Sequence, residues 1–359
     1  MEDLDLKVSR RTLLKTAATL PVSLSFAPGR ASAAGPAQRF GAGIIGTVHS
    51  HAEGHIQAIR QSANYQFIAA AEPNPELLAK AKQNPAWNGV TWVSVEQLLA
   101  DQRIQVVCIE TDPLDSLPYA LRSIQAGKHT KIDKPPGTDL KALQNIYAEA
   151  EQRHLLVQMG YVFRYNPAFR LALQAVREEW LGPVRSIVCQ MNDTLDAEQR
   201  KRLDSYPGGQ MYEICGHMID MLVLLFGEPQ RVSSVLRHTG TVDDKLEDDV
   251  LGLFEFDPAV AVIKSHARDG ERYFYIFGQD GSLQINAPDN PSIRLVSSKA
   301  RGKYVGDGRE VALGKPERYL PDLDDLAQGI REKRKLEYFT PEHDLKVQRT
   351  LLRASGVDV

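Results

Sequence analysis

Short apolar runs alternate with amphipathic segments along the first half of the chain. The apolar runs predict strands at Phe40–Ile45, Gln66–Ala71, Val90–Val93, Ile104–Ile109, His129–Ile132 and Leu155–Met159. The segments between them predict helices at Ala52–Gln61, Pro75–Gln83, Val95–Ala100, Leu117–Gln125 and Leu140–Arg153. Strands that alternate with helices of about ten residues predict an α/β fold with a doubly wound parallel sheet. Such sheets bind ligands beyond the carboxyl ends of their strands.

The second half changes to alternating apolar and polar positions, which indicate half-buried strands. They predict strands at Ser186–Met191, Arg231–Arg237, Val250–Phe256, Val260–Ser265, Tyr273–Phe277 and Ser282–Ile285. A last helix starts at Thr340-Pro341 and ends near Gly356. At roughly 150 residues per domain, the length of 359 residues favours two domains, which we place at 37–158 and 159–359. An exposed sheet of this extent predicts a homo-oligomer formed through its face.

Composition and charge exclude several classes of protein. The 43 Lys and Arg and 46 Asp and Glu give a net charge of −3 and are scattered, so we expect no nucleic-acid partner. No apolar stretch approaches the roughly 20 residues that span a bilayer, so we expect no membrane span. The three cysteines, Cys108, Cys189 and Cys215, are too few for a disulfide scaffold. They predict buried, reduced thiols, although one bridge is arithmetically possible.

The first 33 residues contain the parts of a twin-arginine export signal. Arg10-Arg11 precede a short apolar run at 16–27 and then the small residues Ala31-Ser32-Ala33. We therefore expect export by the twin-arginine machinery and a periplasmic or otherwise extracytoplasmic protein. The alternative is a leader that stays in the cytoplasm.

A phosphate-binding turn must follow a strand and open a helix, because free backbone N–H groups face an anion only there. The letters GAGIIG at 41–46 match a glycine-rich pattern but lie inside the first strand. The turn that lies between a strand and a helix is 46–51. Gly46 occupies the first glycine position of the pattern there, and Val48 and His51 occupy the second and third. We predict that a dinucleotide is bound here by Gly46, Thr47 and Val48.

Glu72 ends the second predicted strand, 26 residues after Gly46. A carboxylate there can accept hydrogen bonds from the ribose diol of NAD and would repel the 2′-phosphate of NADP. No Lys or Arg lies within several residues after it, so NAD is favoured over NADP. The alternative is a helix-capping surface acid. Two more residues that follow strands, Thr111 and Asp133, are also predicted to bind the cofactor.

Three histidines, His49, His51 and His55, support a competing interpretation. A His-x-His pair after a first strand also suits a metal-dependent hydrolase. That site would need further ligands after later strands, and the residues that follow Ile109 and Ile132 include no histidine. We therefore predict no metal, and assign the histidines to helix capping and to polar contacts near the cofactor.

Lys134 directly follows a predicted strand. Because Pro135 biases Lys134 toward an extended conformation, its side chain is expected to project from the sheet edge into the ligand crevice. An amine desolvated there can exchange protons near neutral pH. The alternative is a lysine in a surface turn.

Residues 208–225 predict a helix that is apolar almost all round, with one polar stripe of Glu213, His217 and Asp220. A helix of this kind is buried, and buried ionisable groups must be paired or face a cavity. Two explanations stay open, a structural polar seam and an acid/base array that faces an active site.

These motifs together resemble the glucose–fructose oxidoreductase and inositol dehydrogenase (Gfo/Idh/MocA) family. The resemblance rests on GIIG at 43–46, on AGKH at 126–129 with DKP at 133–135, and on GG at 208–209 followed by Glu213, His217 and Asp220. It covers essentially the whole chain after the leader. It implies an N-terminal Rossmann domain, a C-terminal α/β domain with a large open, mostly antiparallel sheet, and a bound nicotinamide dinucleotide. It also implies catalytic roles for Lys134, Glu213 and His217.

The resemblance further points to the start of the second domain as the substrate side. Residues 160–166 end in Asn166-Pro167, which predict a helix N-cap and first residue. We predict that substrate is bound by Tyr161, Arg164 and Asp220. The sequence differs from the family pattern at two of the motif positions. Asp133 occupies a position that is usually Glu, and Glu213 occupies one that is usually Asp.

The chemistry that fits is hydride transfer between NAD and a carbon bearing a sugar-type hydroxyl. Either Lys134 or His217 takes the hydroxyl proton, and Glu213 orients the base. Because no free NAD pool is expected outside the cytoplasm, we hypothesise a tightly held NAD that is recycled within one catalytic cycle. Two reactions would reduce and reoxidise the same bound NAD: a redox exchange between two sugars, and a redox-neutral cleavage of a glycoside. The alternatives are a non-catalytic sugar-binding protein and the metal-dependent hydrolase.

Overall fold

A five-stranded parallel sheet forms the first layer of the fold. The computed structural model describes residues 38–48, 50–240, 242–300, 302 and 304–359. The predicted export signal and His49 lie outside them. The strands are β1 (Phe40–Ile45), β2 (Tyr65–Ala71), β3 (Val106–Ile109), β4 (His129–Ile132) and β5 (Val157–Met159). Their order is β2-β1-β3-β4-β5, and every neighbouring pair is parallel. The predicted doubly wound sheet is confirmed.

Five helices connect these strands: α1 (Ser50–Gln61), α2 (Pro75–Gln83), α3 (Val95–Ala100), α4 (Ser116–Gln125) and α5 (Leu140–Gln152). Local capping explains their starts. The Asn74 side chain accepts hydrogen bonds from two N–H groups of α2, and Ser94 forms a reciprocal capping box at α3.

One predicted strand, Val90–Val93, is wrong. The segment makes a single bridge, between Trp92 and Ala70. Ser94 follows at once as the N-cap of α3, so the chain turns into a helix before a ladder can extend.

The second sheet has eight strands: β6 (Val184–Met191), β7 (Arg231–Arg237), β8 (Asp249–Glu255), β9 (Val260–His266), β10 (Arg272–Gly278), β11 (Gly281–Asn286), β12 (Ser292–Ser297) and β13 (Asp307–Ala312). Their order is β13-β12-β11-β10-β6-β9-β8-β7. Only β6 and β9 pair in parallel, so the expected large, mostly antiparallel open sheet is confirmed. The apolar pattern does not reveal β13, because this edge strand has almost no buried face.

The remaining helices follow β5, and three of them pack on the second sheet. They are α6 (Pro167–Arg177), α7 (Ala197–Leu203), α8 (Gln210–Glu213), α9 (Gly216–Phe226), α10 (Leu320–Glu332) and α11 (Pro341–Ala354). α6 contacts β11, α8 contacts β8 and β9, and α11 contacts β7 and α9. Inward side chains such as Phe254, Ile263 and Phe274 are fully buried beneath them. This packing brings α8 and α9 toward the parallel sheet.

Two further features concern the cysteines and the helices of the described residues. All three cysteines are free and buried, as predicted. Among the described helices, none combines the length and apolarity needed to cross a bilayer.

Candidate active site

A cleft of about 860 Å³ lies at the carboxyl ends of the parallel strands. The strand order reverses between β1 and β3, and a doubly wound sheet binds ligands at that point. The first wall carries Val48 after β1, Glu72 after β2 and Thr111 after β3. The opposite wall comes from the segment that holds α7, α8 and α9. The cleft therefore lies between the two sheets.

Gly46 is required by the geometry of the turn after β1. Its φ is +98°, and a Cβ atom there would lie 2.3 Å from the backbone nitrogen of Thr111. Only glycine permits this close approach of the two turns. The turn leads directly into α1, whose first N–H groups have no partners within the helix.

Glu72 lines the cleft and is held in place by two donors. Its carboxylate accepts hydrogen bonds from Thr47 Oγ1 at 2.7 Å and from the Asn74 nitrogen at 2.9 Å. Asn74, not Glu72, caps α2, so the capping alternative for Glu72 is wrong. Thr47 does not itself line the cleft, and its connection to the site is this hydrogen bond to Glu72.

Lys134 and Glu213 meet at the base of the cleft. Lys134 Nζ donates to the Glu213 carbonyl oxygen at 2.7 Å and lies 3.3 Å from Glu213 Oε1. Both side chains are buried, so the surface-turn alternative for Lys134 is wrong. Glu213 Oε2 is buried and has no hydrogen-bond partner among the described residues. An unsatisfied buried carboxylate oxygen beside an ammonium group is suited to contact a ligand.

His217 lines the same cleft, one turn along from Glu213. Burial lowers the pKa of His217 well below its usual value, and the charge of Lys134 lowers it further. The imidazole is therefore neutral at pH 7 and can accept a proton. The Phe163 ring covers it at a centroid distance of 4.9 Å.

The predicted single helix over residues 208–225 is broken into α8 and α9. The Gln210 carbonyl oxygen accepts hydrogen bonds from both Ile214 and Cys215, so the backbone makes one wide turn and starts again. Glu213 thus ends α8, and His217 lies in the first turn of α9.

Asp133 and His51 form a pair that the sequence patterns do not predict. His51 Nδ1 lies 2.9 Å from Asp133 Oδ2, and His51 lines the cleft. Asp133 itself is buried and does not line the cleft, but it contacts His51, which does.

The other described histidine of the metal hypothesis, His55, is fully buried. Its Nδ1 lies 2.9 Å from Glu110 Oε1, and burial lowers its pKa to about 4. Among the described residues, no three metal-ligating side chains are grouped in one place.

The three residues predicted to bind substrate, Tyr161, Arg164 and Asp220, do not line the cleft. Arg164 and Asp220 have no exposed surface, and Tyr161 is also buried. Arg164 Nη2 lies 2.6 Å from both Asp220 Oδ1 and Asp344 Oδ1, so its charge is already neutralised by protein groups. Asp220 lies on α9 three residues after His217. The ion pair with Arg164 thus ties α9, the helix that carries His217, to the start of the second domain.

The doubly wound sheet, the glycine turn and the acid after β2 define a dinucleotide-binding protein with a second, antiparallel domain across the cleft. Two sequence profiles of one family match the chain. An oxidoreductase family with an NAD-binding Rossmann fold matches residues 40–161, and the GFO/IDH/MocA C-terminal domain matches residues 169–284. The chain therefore belongs to the GFO/IDH/MocA family of NAD(P)-dependent oxidoreductases.

Individual relatives are distant. An uncharacterized oxidoreductase of Synechocystis is 28% identical over 54% of this chain and 53% of its own length, so the chain spans about half of that relative. An inositol 2-dehydrogenase/D-chiro-inositol 3-dehydrogenase of Shouchella clausii is 25% identical over 73% of this chain and 76% of its own. The solved aldose-aldose oxidoreductase from Caulobacter crescentus, complexed with glycerol, has the same fold, with a TM-score of 0.74 at 20% identity over 89% of this chain and 98% of that one.

Proposed function

We propose that the protein oxidises or reduces a sugar-type CH–OH group with NAD as its cofactor. The observation that carries this proposal is the convergence of Lys134, Glu213 and His217 in the cleft that also holds Glu72. The polyol and aldose chemistry named for two distant relatives supports a polyhydroxylated substrate.

The residues of the cleft fit a dinucleotide. Gly46 provides the close turn after β1. Glu72, after β2, provides an anchored carboxylate for a ribose diol, and Thr111, after β3, lies on the other side of the Gly46 turn. Lys134, Glu213 and His217 lie further along the same cleft. When bound, a nicotinamide cofactor supplies the acceptor or donor of a hydride.

The protein groups divide the proton chemistry between them. The neutral imidazole of His217 takes the proton of the substrate hydroxyl. Lys134 donates a hydrogen bond to the same oxygen, and Glu213 holds the Lys134 amine through its carbonyl and carboxylate oxygens. An ammonium beside the oxygen stabilises negative charge as it develops there.

We also propose that the NAD is retained through purification and recycled within the catalytic cycle, and that the protein is exported by the twin-arginine route. Arg10-Arg11 and the small residues at 31–33 support export, and recycling removes the need for an external cofactor pool. Cell fractionation tests export, because recovery in the cytoplasm alone contradicts it.

The test of the proposed function is the absorbance of the purified, dialysed protein near 340 nm before and after adding a panel of sugars and polyols. We expect bound NAD to become reduced by one class of sugar and reoxidised by an oxidised sugar. The cofactor released by denaturation is expected to be NAD. Protein that carries no dinucleotide and shows no change at 340 nm with added NAD or NADP contradicts the proposal.

Glu72 is expected to determine the preference for NAD. Glu72→Ser removes the carboxylate that repels a 2′-phosphate, so we expect the ratio of NADP to NAD affinity to rise at least about 10-fold. Titration of the apoprotein with each cofactor measures it. Glu76→Ser is the matched control, because it removes an exposed acid from the rim of the same cleft. An equal change in both variants would contradict a specific role for Glu72.

The open face of the second sheet supports the proposed homo-oligomer. Val235, Leu251 and Val260 share this face and are 47%, 41% and 38% exposed. Exposed apolar side chains on one sheet face are typical of a subunit interface. Light scattering tests this proposal, because a particle of 39.9 kDa would contradict it.

A further inference from the structure

Arg318 brings a positive charge into the cleft from the segment that connects β13 with α10. It lines the same cleft as Lys134, Glu213 and His217. Burial is the largest cause of the low pKa of His217, and the charge of Arg318 is one of those that lower it further. Arg318 is therefore close enough to the proposed catalytic groups for its charge to act on them.

The charge of Arg318 is only weakly paired within the described residues. Its one ion pair there is with Asp289 Oδ1 at 3.8 Å, which is too long for a hydrogen bond. Asp289 instead accepts a hydrogen bond from Arg272 Nη1 at 2.8 Å, and Arg272 also lies 3.6 Å from Asp193 Oδ1. Both carboxylates thus face Arg272, and the N–H donors of Arg318 remain available to a ligand in the cleft.

A strained residue holds the backbone next to Arg318. Tyr319 has a φ of +67°, in a region that side chains other than glycine rarely adopt. Its buried ring packs on α1, 4.3 Å from the His55 ring, and a Cβ atom at Gly54 would lie 2.2 Å from it. Residue 54 must therefore be small for the ring to fit. Such strain persists only where the surrounding structure imposes it, and it is concentrated at functional sites.

We propose that Arg318 binds an anionic group of the substrate, so that the protein prefers a sugar that carries a carboxylate or a phosphate to a neutral sugar. The inference rests on the proposed function, because it names the class of sugar that the same site takes. A planar guanidinium group matches the oxygens of either anion in a bidentate contact and keeps its charge at every physiological pH.

This contact also explains how a charged sugar is oriented. With its anionic group at Arg318, the sugar is held at one end, and its reacting hydroxyl is directed to Lys134 and His217 at the other. A neutral sugar that displaces water from the cleft leaves the guanidinium group without an anion, which costs free energy. Arg318 is thus a specificity-determining residue, distinct from the groups that exchange the proton.

The experiment measures the rate of NAD reduction near 340 nm against the concentration of sugars that differ in a single group. The first set is glucose, glucuronate and a glucose phosphate, and the second is glucitol and gluconate. We expect kcat/KM to be at least about 10-fold higher for a charged member than for the neutral member of its set, the value of one charge-assisted hydrogen bond. Preference for the carboxylate or for the phosphate identifies which anion the site takes, and either result supports the proposal.

Three variants assign that preference to Arg318. Arg318→Gln should raise KM for the charged sugar about 10- to 100-fold, with little change for the neutral sugar or in NADH affinity. Arg318→Lys should lie between Arg318→Gln and the parent protein, because an ammonium group keeps the charge but not the bidentate contact. Arg309→Gln is the control, since Arg309 lies on the edge strand β13 and its side chain is 70% exposed. Added salt should raise KM for the charged sugar in the parent protein and much less in Arg318→Gln.

Two results would overturn the proposal. One is a parent protein that prefers the neutral member of each set; the other is an equal rise of KM for charged and neutral sugars in Arg318→Gln, which would show that Arg318 only shapes the cleft. If Arg318→Gln fails to fold, as judged by circular dichroism, Arg318→Lys gives the same comparison. Turnover of neutral sugars alone leaves the proposed function standing while this inference fails, whereas a protein that binds no dinucleotide and oxidises or reduces no sugar rejects both.

Discussion

Replacing Lys134 by alanine is expected to lower turnover about 1,000-fold while the nicotinamide cofactor still binds. The amine lies at the base of the cleft, held 2.7 Å from the Glu213 carbonyl oxygen, beside the neutral imidazole of His217. Losing one positioned proton-transfer or charge-stabilising group typically costs a factor of about 100 to 10,000 in rate. The rate of absorbance change near 340 nm with the active sugar measures the effect.

The control for this variant is Lys141→Ala. Lys141 is an exposed lysine at the start of α5 in the same domain, so its removal should leave the rate unchanged. Cofactor binding by the Lys134 variant must be measured as well. A Lys134→Ala protein that turns over within a factor of ten of the parent would reject the catalytic assignment, and one that loses only the cofactor would reassign Lys134 to cofactor binding.

Most of the parallel sheet could be predicted from the sequence, because each strand carries its own local signal. Buried runs such as Val106–Ile109 are apolar and β-branched, and they are separated by helices with recognisable caps. The location of Lys134 at the ligand edge follows from the same pattern, because it directly follows β4. These inferences need no knowledge of how distant segments meet.

Contacts between distant segments leave no such signal. Arg202 meets Val48 across 154 positions, and Arg164 meets Asp344 across 180. Neither partner shares a helix or strand with the other, so no periodicity connects them. This is why the contact between Arg202 and Val48 escapes the motif analysis. It is also why the sequence alone predicts that Arg164, a lone arginine beside the predicted substrate region, binds substrate.

The break between α8 and α9 has a related cause. Residues 210–226 carry a continuous apolar pattern, and a pattern of burial does not distinguish one helix from two that turn within the same core. The glycines Gly208 and Gly209 do mark the start, where both have positive φ. The break lies at Cys215, which is fully buried, so its position has no exposed polar residue to mark it.

The buried cluster around Arg164 is expected to dominate the response of stability to mutation. Arg164→Met removes a guanidinium that neutralises two carboxylates, Asp220 and Asp344, neither of which is exposed. Breaking a buried pair by removing one partner typically costs about 3–5 kcal/mol, because an uncompensated charge stays in the interior. Denaturation with urea at pH 7 measures the free energy of unfolding. Arg231→Met is the control, because Arg231 forms an exposed pair with Glu255 and should cost less than about 1 kcal/mol.

The pH dependence of this loss tests its electrostatic origin. Burial raises the pKa of Asp220, but the Arg164 charge and the His343 hydrogen bond outweigh burial and hold that pKa below its usual value. In the parent protein this stabilisation is present above about pH 4 and is lost as the pH falls further. Without Arg164, burial dominates and raises the pKa of Asp220, so protonation at pH 5 relieves part of the penalty. We therefore expect a smaller difference between variant and parent at pH 5 than at pH 7. A variant with parental stability and only a raised KM for the sugar would instead show that Arg164 binds substrate, as its sequence position suggests.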